Sequence, residues 1–119
     1  MALILAMEMT GEPLTTLKHT CGDTVQTLVA DVTGFLAQVT KTRGTPQLVN
    51  VIACLITVET YSIRFAWGTA ATQAGLGHVL SPGQSLKLTN HKQIIDFRFI
   101  NQTNSENAVL QITPELAIP

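Results

Sequence analysis

Residues 49–59 are apolar on both alternating sets of positions, and this limits the architecture more than any other stretch. In an extended chain, Val49, Val51, Ala53 and Leu55 point one way while Ile52, Cys54, Ile56 and Val58 point the other. The β-branched content and the short length argue against a helix. A strand of this kind needs cover on both faces. It is either central in a layered β structure, or it has one face in a core and one against a partner.

The flanking sequence is extended in the same way, with one-sided alternation. Ile63, Phe65 and Trp67 alternate with Arg64 and Ala66, Leu86 and Leu88 with Ser85, Lys87 and Thr89, and Ile95, Phe97 and Phe99 with Asp96 and Arg98. A short apolar segment, 75–80, is closed by Ser81-Pro82-Gly83, where Pro presets a turn and Gly accepts positive φ. Ala108, Leu110 and Ile112 alternate with Val109, Gln111 and Thr113 in a last strand that Pro114-Glu115 is expected to stop. Before the two-sided run, residues 14–20 and 24–30 read as a hairpin around Cys21-Gly22-Asp23. Residues 31–40 mix helical spacing (Val32, Phe35, Leu36, Val39) with Gly34 and threonines, which predicts a helical turn or an irregular crossing. Residues 41–46 form a polar loop.

Strands recurring at roughly 8–12-residue spacing with weak helix signal predict an all-β domain. The expected architecture is an antiparallel β-sandwich of jelly-roll type with about eight short strands. Residues 14–113 form the domain, 1–13 an N-terminal arm or edge strand, and 114–119 a C-terminal tail. At 119 residues the chain makes one domain.

Charge is scarce. Only 13% of residues are charged, against about 25% in ordinary soluble domains, which points to a surface that meets other protein. Net charge is −1 with no basic patch, so nucleic-acid binding is disfavoured. The apolar run at 2–6 has no preceding Lys or Arg and ends early at Glu8, and no stretch reaches about 20 apolar residues, so a soluble, unprocessed chain with no membrane role is expected. Cys21 and Cys54 lack C-x-x-C spacing, and Cys54 reads as a small buried hydrophobe.

Candidate chemistry is thin. His19, His78 and His91 could meet Asp96 or Glu59 at a metal, but the two-His spacing of a cupin site is absent and each His adjoins a turn. Ser85 lacks the trailing Gly of a nucleophile elbow, and Gly75-Leu76-Gly77 lacks the third Gly of a phosphate cradle. The sequon Asn101-Gln102-Thr103 reads as a turn. No catalytic residue, metal ligand or cofactor is assigned, and no enzymatic activity is expected. Arg64 and Arg98 lie opposite their aromatic neighbours, as surface charges or, with Asp96 and Glu59, as a cross-strand cluster gripping another subunit. Trp67 is expected in the core.

The order Ile63-Arg64-Phe65, Gly77-His78, Gly83-Gln84-Ser85-Leu86-Lys87-Leu88 and Phe97-Arg98-Phe99-Ile100, followed by one alternating strand, resembles small virion structural proteins of tailed phages and prophages. The resemblance covers residues 58–113. It implies a module that decorates or cements a capsid or sits in a tail assembly. The expected partners are the major capsid protein and further copies of the chain, at the capsid surface after synthesis in the host cytoplasm. The contacts would be made by arms and loops carrying Leu3, Ile4, Leu5, Lys41, Arg43, Leu116 and Ile118, with Arg64 and Arg98. The alternative is a tail or fibre-associated structural or glycan-binding module in which exposed Tyr61 and Trp67 stack on sugars.

Overall fold

A computed structural model describes residues 12–35, 51–73 and 75–116. Leu3, Ile4, Leu5, Lys41, Arg43 and Ile118 lie outside the described residues, and of Leu116 only the backbone is described. The fold is all β, in two packed antiparallel sheets. Among the described residues nine strand segments run in chain order: β1 (Glu12–Pro13), β2 (Leu17–Cys21), β3 (Gln26–Thr27), β4 (Val51–Thr60), β5 (Ile63–Ala66), β6 (His78–Leu80), β7 (Ser85–Leu88), β8 (Arg98–Asn101) and β9 (Ala108–Leu116). β1 and β2 both pair with the same edge of β9 and act as one interrupted strand, which leaves four strand positions in each sheet. The first sheet has the order β1/β2-β9-β4-β7 and the second β3-β8-β5-β6.

The two-sided run is β4, an interior strand as its sequence requires, paired with β7 on one side and β9 on the other. Its register puts Cys54, Ile56 and Val58 inward beside Leu88 and beside Leu110 and Ile112 of β9, and Leu55 and Thr57 outward. From the second sheet Ile63, Phe65, Leu80 and Phe99 meet this layer to form one continuous core. Burial of each such side chain stabilises the fold by about 1.5–3 kcal/mol.

Among the described residues two single helical turns close one end of the sandwich. In α1 (Leu28–Asp31) the Thr27 hydroxyl accepts from Ala30 N and the Asp31 carboxylate from Thr27 N. In α2 (His91–Ile95) the Asn90 side chain accepts from Gln93 N, and Gln93 Oε1 accepts from Thr89 N. These turns and their flanks bring Leu28, Val32, Phe35, Ile94 and Phe97 into the core.

Three local expectations are corrected. Residues 14–30 are not a hairpin, because β2 lies in the first sheet and β3 in the second, with residues 22–25 crossing between them. Ile95 and Phe97 precede β8 rather than belonging to it, since the Asn90 cap coils the chain up to Ile95. Tyr61 sits at φ 55 in the tight β4–β5 turn. The last strand continues through Pro114 to Leu116. Pro114 is tolerated because a residue's N–H and C=O point to the same edge of a strand. Pro114 O accepts from Leu14 N across the break between β1 and β2, so the missing donor falls where no ladder bond is required.

Residues 67–73 and 75–77 strap the outer side of the second sheet, with Ala71 packed on Ala66 and Ile100. Thr72 closes the strap on itself, accepting from Gly75 N and Leu76 N through its hydroxyl and donating its own N–H to Leu76 O. Gly77 ends it at φ 121, where a Cβ would stand 2.7 Å from Phe65 O and 2.9 Å from Arg64 Cγ. Gly83, at φ 85, has open space around it. Urea denaturation should therefore find Gly77→Ala destabilised by more than about 2 kcal/mol and Gly83→Ala by only about 1, since the first adds a backbone clash to the same φ strain.

Candidate functional site

Three features outside the core could carry function, and they occupy different parts of the sandwich. The first surrounds Trp67, at the end closed by α1 and α2. β5 ends at Ala66, and the indole that follows is 37% exposed rather than buried in the core. Its ring meets Phe65 edge-on at 5.5 Å between centroids and lies 5.8 Å from Phe97. Its Nε1–H donates to Gln93 O at 3.0 Å, and the next residue's N–H donates to Asp96 Oδ2 at 2.9 Å. Asp96 Oδ1 accepts from Arg98 Nη2 at 3.2 Å. A hollow of about 370 Å³ is lined by Trp67, Asn90, Lys92, Gln93 and Asp96. A second, of about 350 Å³, involves Trp67 with Thr69, Leu76, Gly77 and His78.

The second feature ties loops together at the other end. Asp23 Oδ1 accepts from Asn101 Nδ2 at 2.7 Å, Ser105 N at 2.8 Å and Gln73 Nε2 at 3.3 Å. Gln73 Nε2 also donates to Asn101 Oδ1 at 2.6 Å. Asn101, first of the sequon residues, is thus a fully buried strut in β8 and not a surface turn. Hydrogen bonds from Asn101 and Ser105 hold the Asp23 carboxyl below the ordinary aspartate range.

The third is the outer face of the first sheet. One row across its four strands reads Lys18, Gln111, Thr57, Ser85. The face is rich in hydroxyls and amides whose side chains pair with one another. Thr57 and Ser85 bond at 2.9 Å, Thr16 and Thr113 at 2.7 Å, and Gln111 donates to Glu59. On the same face Lys87 Nζ lies 3.4 Å from the Glu115 carboxylate, which is fully buried.

The arginines do not form one cluster with Asp96 and Glu59. Arg64 and Arg98 share the outer side of the second sheet, but Arg64 Nη1 donates to Gly77 O at 3.0 Å while Arg98 pairs with Asp96, and Glu59 lies in the first sheet. The histidines also stay apart. His19 bonds Gln26 at 2.7 Å with its ring edge-on to Phe99, His78 lies tilted beside Phe65, and His91 belongs to α2. Among the described residues no three His, Cys, Asp or Glu side chains come together as metal ligands, and no helix is long and apolar enough to cross a membrane. Cys21 and Cys54 are buried free thiols, both pushed up to about 12 by burial. Tyr61, 47% exposed, stands in the β4–β5 turn, so the two candidate stacking aromatics flank opposite ends of β5 and do not form a joint platform.

The Trp67 hollow was hidden in the sequence because it joins a strand end to a helical turn far along the chain. The cap signal Asn90-His91-Lys92-Gln93 was its one readable trace. No family model, curated protein or solved structure matches the chain.

Asp23 gives a pH prediction. Its folded value lies below the unfolded one, so its contribution is complete above the ordinary value of 3.8 and is lost as pH falls through the lower folded value. Thermal midpoints of wild type and Asp23→Ala, measured from pH 7 down to pH 2, should differ most near neutrality. The gap should close in acid.

Proposed function

We propose that this chain is a non-catalytic structural component of a phage virion, a decoration or cement protein that binds major capsid subunits on the shell surface as a homo-oligomer. The sandwich is read as a jelly roll. With β1/β2 counted as one strand, six of the seven connections cross between the sheets and only β5–β6 stays within one, which supports that reading. Jelly rolls build capsid proteins among other things, so the fold alone does not select a function.

The observation that carries the proposal is the outer face of the first sheet. Thr16, Thr57, Ser85 and Gln111 give its centre neutral polar side chains, with the charged Lys18, Glu59, Lys87 and Glu115 around them. Interface centres are depleted of charge in the same way, and side chains already tied across strands lose little freedom when a partner covers them. The scarcity of charge over the whole chain agrees with a domain that works against other protein.

Co-sedimentation with purified capsid shells tests this. The wild-type chain should pellet with shells and saturate at a fixed ratio. Thr57→Arg, placed in the middle of the face, should weaken association about tenfold or more while leaving the circular dichroism spectrum unchanged. Equal pelleting of the two proteins, or none of the wild type, would remove this face from the account.

A further inference from the structure

We propose that the hollow beside Trp67 is a carbohydrate site that takes one pyranose ring of an oligosaccharide. Its ingredients are those a sugar ring selects. A pyranose has a face of C–H groups and an edge of hydroxyls, so it needs an aromatic surface bordered by hydrogen-bonding groups. Trp67 supplies the surface, and Asn90, Lys92, Gln93 and Asp96 the border. The volume, about 370 Å³, falls within the range of roughly 300–1,000 Å³ for small-molecule sites.

The border still has hydrogen-bonding capacity to offer. Asn90 Oδ1 is committed to Gln93 N, which leaves Nδ2 as a donor. Lys92 is exposed and contributes a cation on a flexible stem. Each oxygen of Asp96 accepts one bond, from Gly68 N and from Arg98, and each retains lone-pair capacity for a sugar hydroxyl. An apolar peptide anchor would leave these groups unmatched, which argues for a saccharide as the occupant.

The site is also set before any ligand arrives. The indole is held by its bond to Gln93 O and by the Phe65 and Phe97 rings, and the Gly68 bond to Asp96 fixes the backbone beside it. Little ordering remains to be done on binding. The proposal is separate from capsid docking, which uses the outer face of the first sheet, so either can fail while the other stands.

Trp67 is the chain's only tryptophan, so its emission reports on this site alone. The full chain would be screened on an array of neutral and acidic oligosaccharides. It would then be titrated with the best-retained glycan and with glucose, galactose and N-acetylglucosamine, following emission. A saturable change in emission is expected for at least one saccharide, with retention lost in Trp67→Ala. Asn90→Ser keeps a helix cap but removes Nδ2. It should weaken binding about three- to tenfold with an unchanged thermal midpoint. The proposal is overturned by an empty array with no emission response, or by binding that survives Trp67→Ala undiminished.

Discussion

The fold depends on β9, the last strand, lying between the first strand and β4. Its eight registered partners along β4 and its ladder to β1 and β2 make it, among the described residues, the one element bonded along both edges over most of its length in the first sheet. Ala108, Leu110 and Ile112 on its inner side complete the core layer that Ile63, Phe65 and Phe99 pack against. Until residues near the C-terminal end are in place, β2 and β4 share no ladder. The sandwich is therefore built from contacts distant in sequence, for which loop-closure entropy must be met before burial compensates it.

With the sheets closed in this way, connections are driven to the two ends of the sandwich, and each end is handled differently. At one, the carboxylate of Asp23 gathers donors from β8, the following loop and the strap over the second sheet, so loops that share no secondary structure are fixed relative to each other. At the other, two short capped turns plug the core with Leu28, Phe35, Ile94 and Phe97, and Trp67 is left at the seam between plug and sheet. A rigid, half-exposed aromatic follows from that closure. The hydroxyl-rich outer face of the first sheet follows from the alternation of β4, β7 and β9.

Much of this was legible in the sequence, and the limits have a physical basis. Alternation tells which residues share a face, so β4, β5, β7 and β9 could be read directly, and for β7 and β9 the inward positions too, whereas β4 is apolar on both faces and its inward side is set only by the register with β7 and β9. It does not tell which strand is the neighbour, and that is why residues 14–30 looked like a hairpin although the 22–25 turn carries the chain into the other sheet. The run from Ile94 to Ile100 alternates well enough for a strand, yet Asn90 and Gln93 cap a helical turn that wins the first part of it. The polar network of Asp23, Gln73 and Asn101 joins residues that only tertiary structure brings together. Trp67 was expected in the core because large aromatics usually are, but its position just past a strand end leaves one side without cover.

The central claim is that this sandwich acts by lying on a shell of other subunits. Quantitative mass spectrometry of virus-like particles purified from cells that carry its gene, counting copies of this chain against copies of the major capsid subunit, tests that proposal most directly. A fixed ratio that persists through gradient purification is the predicted result. Absence of the chain from virions that are otherwise complete would contradict it.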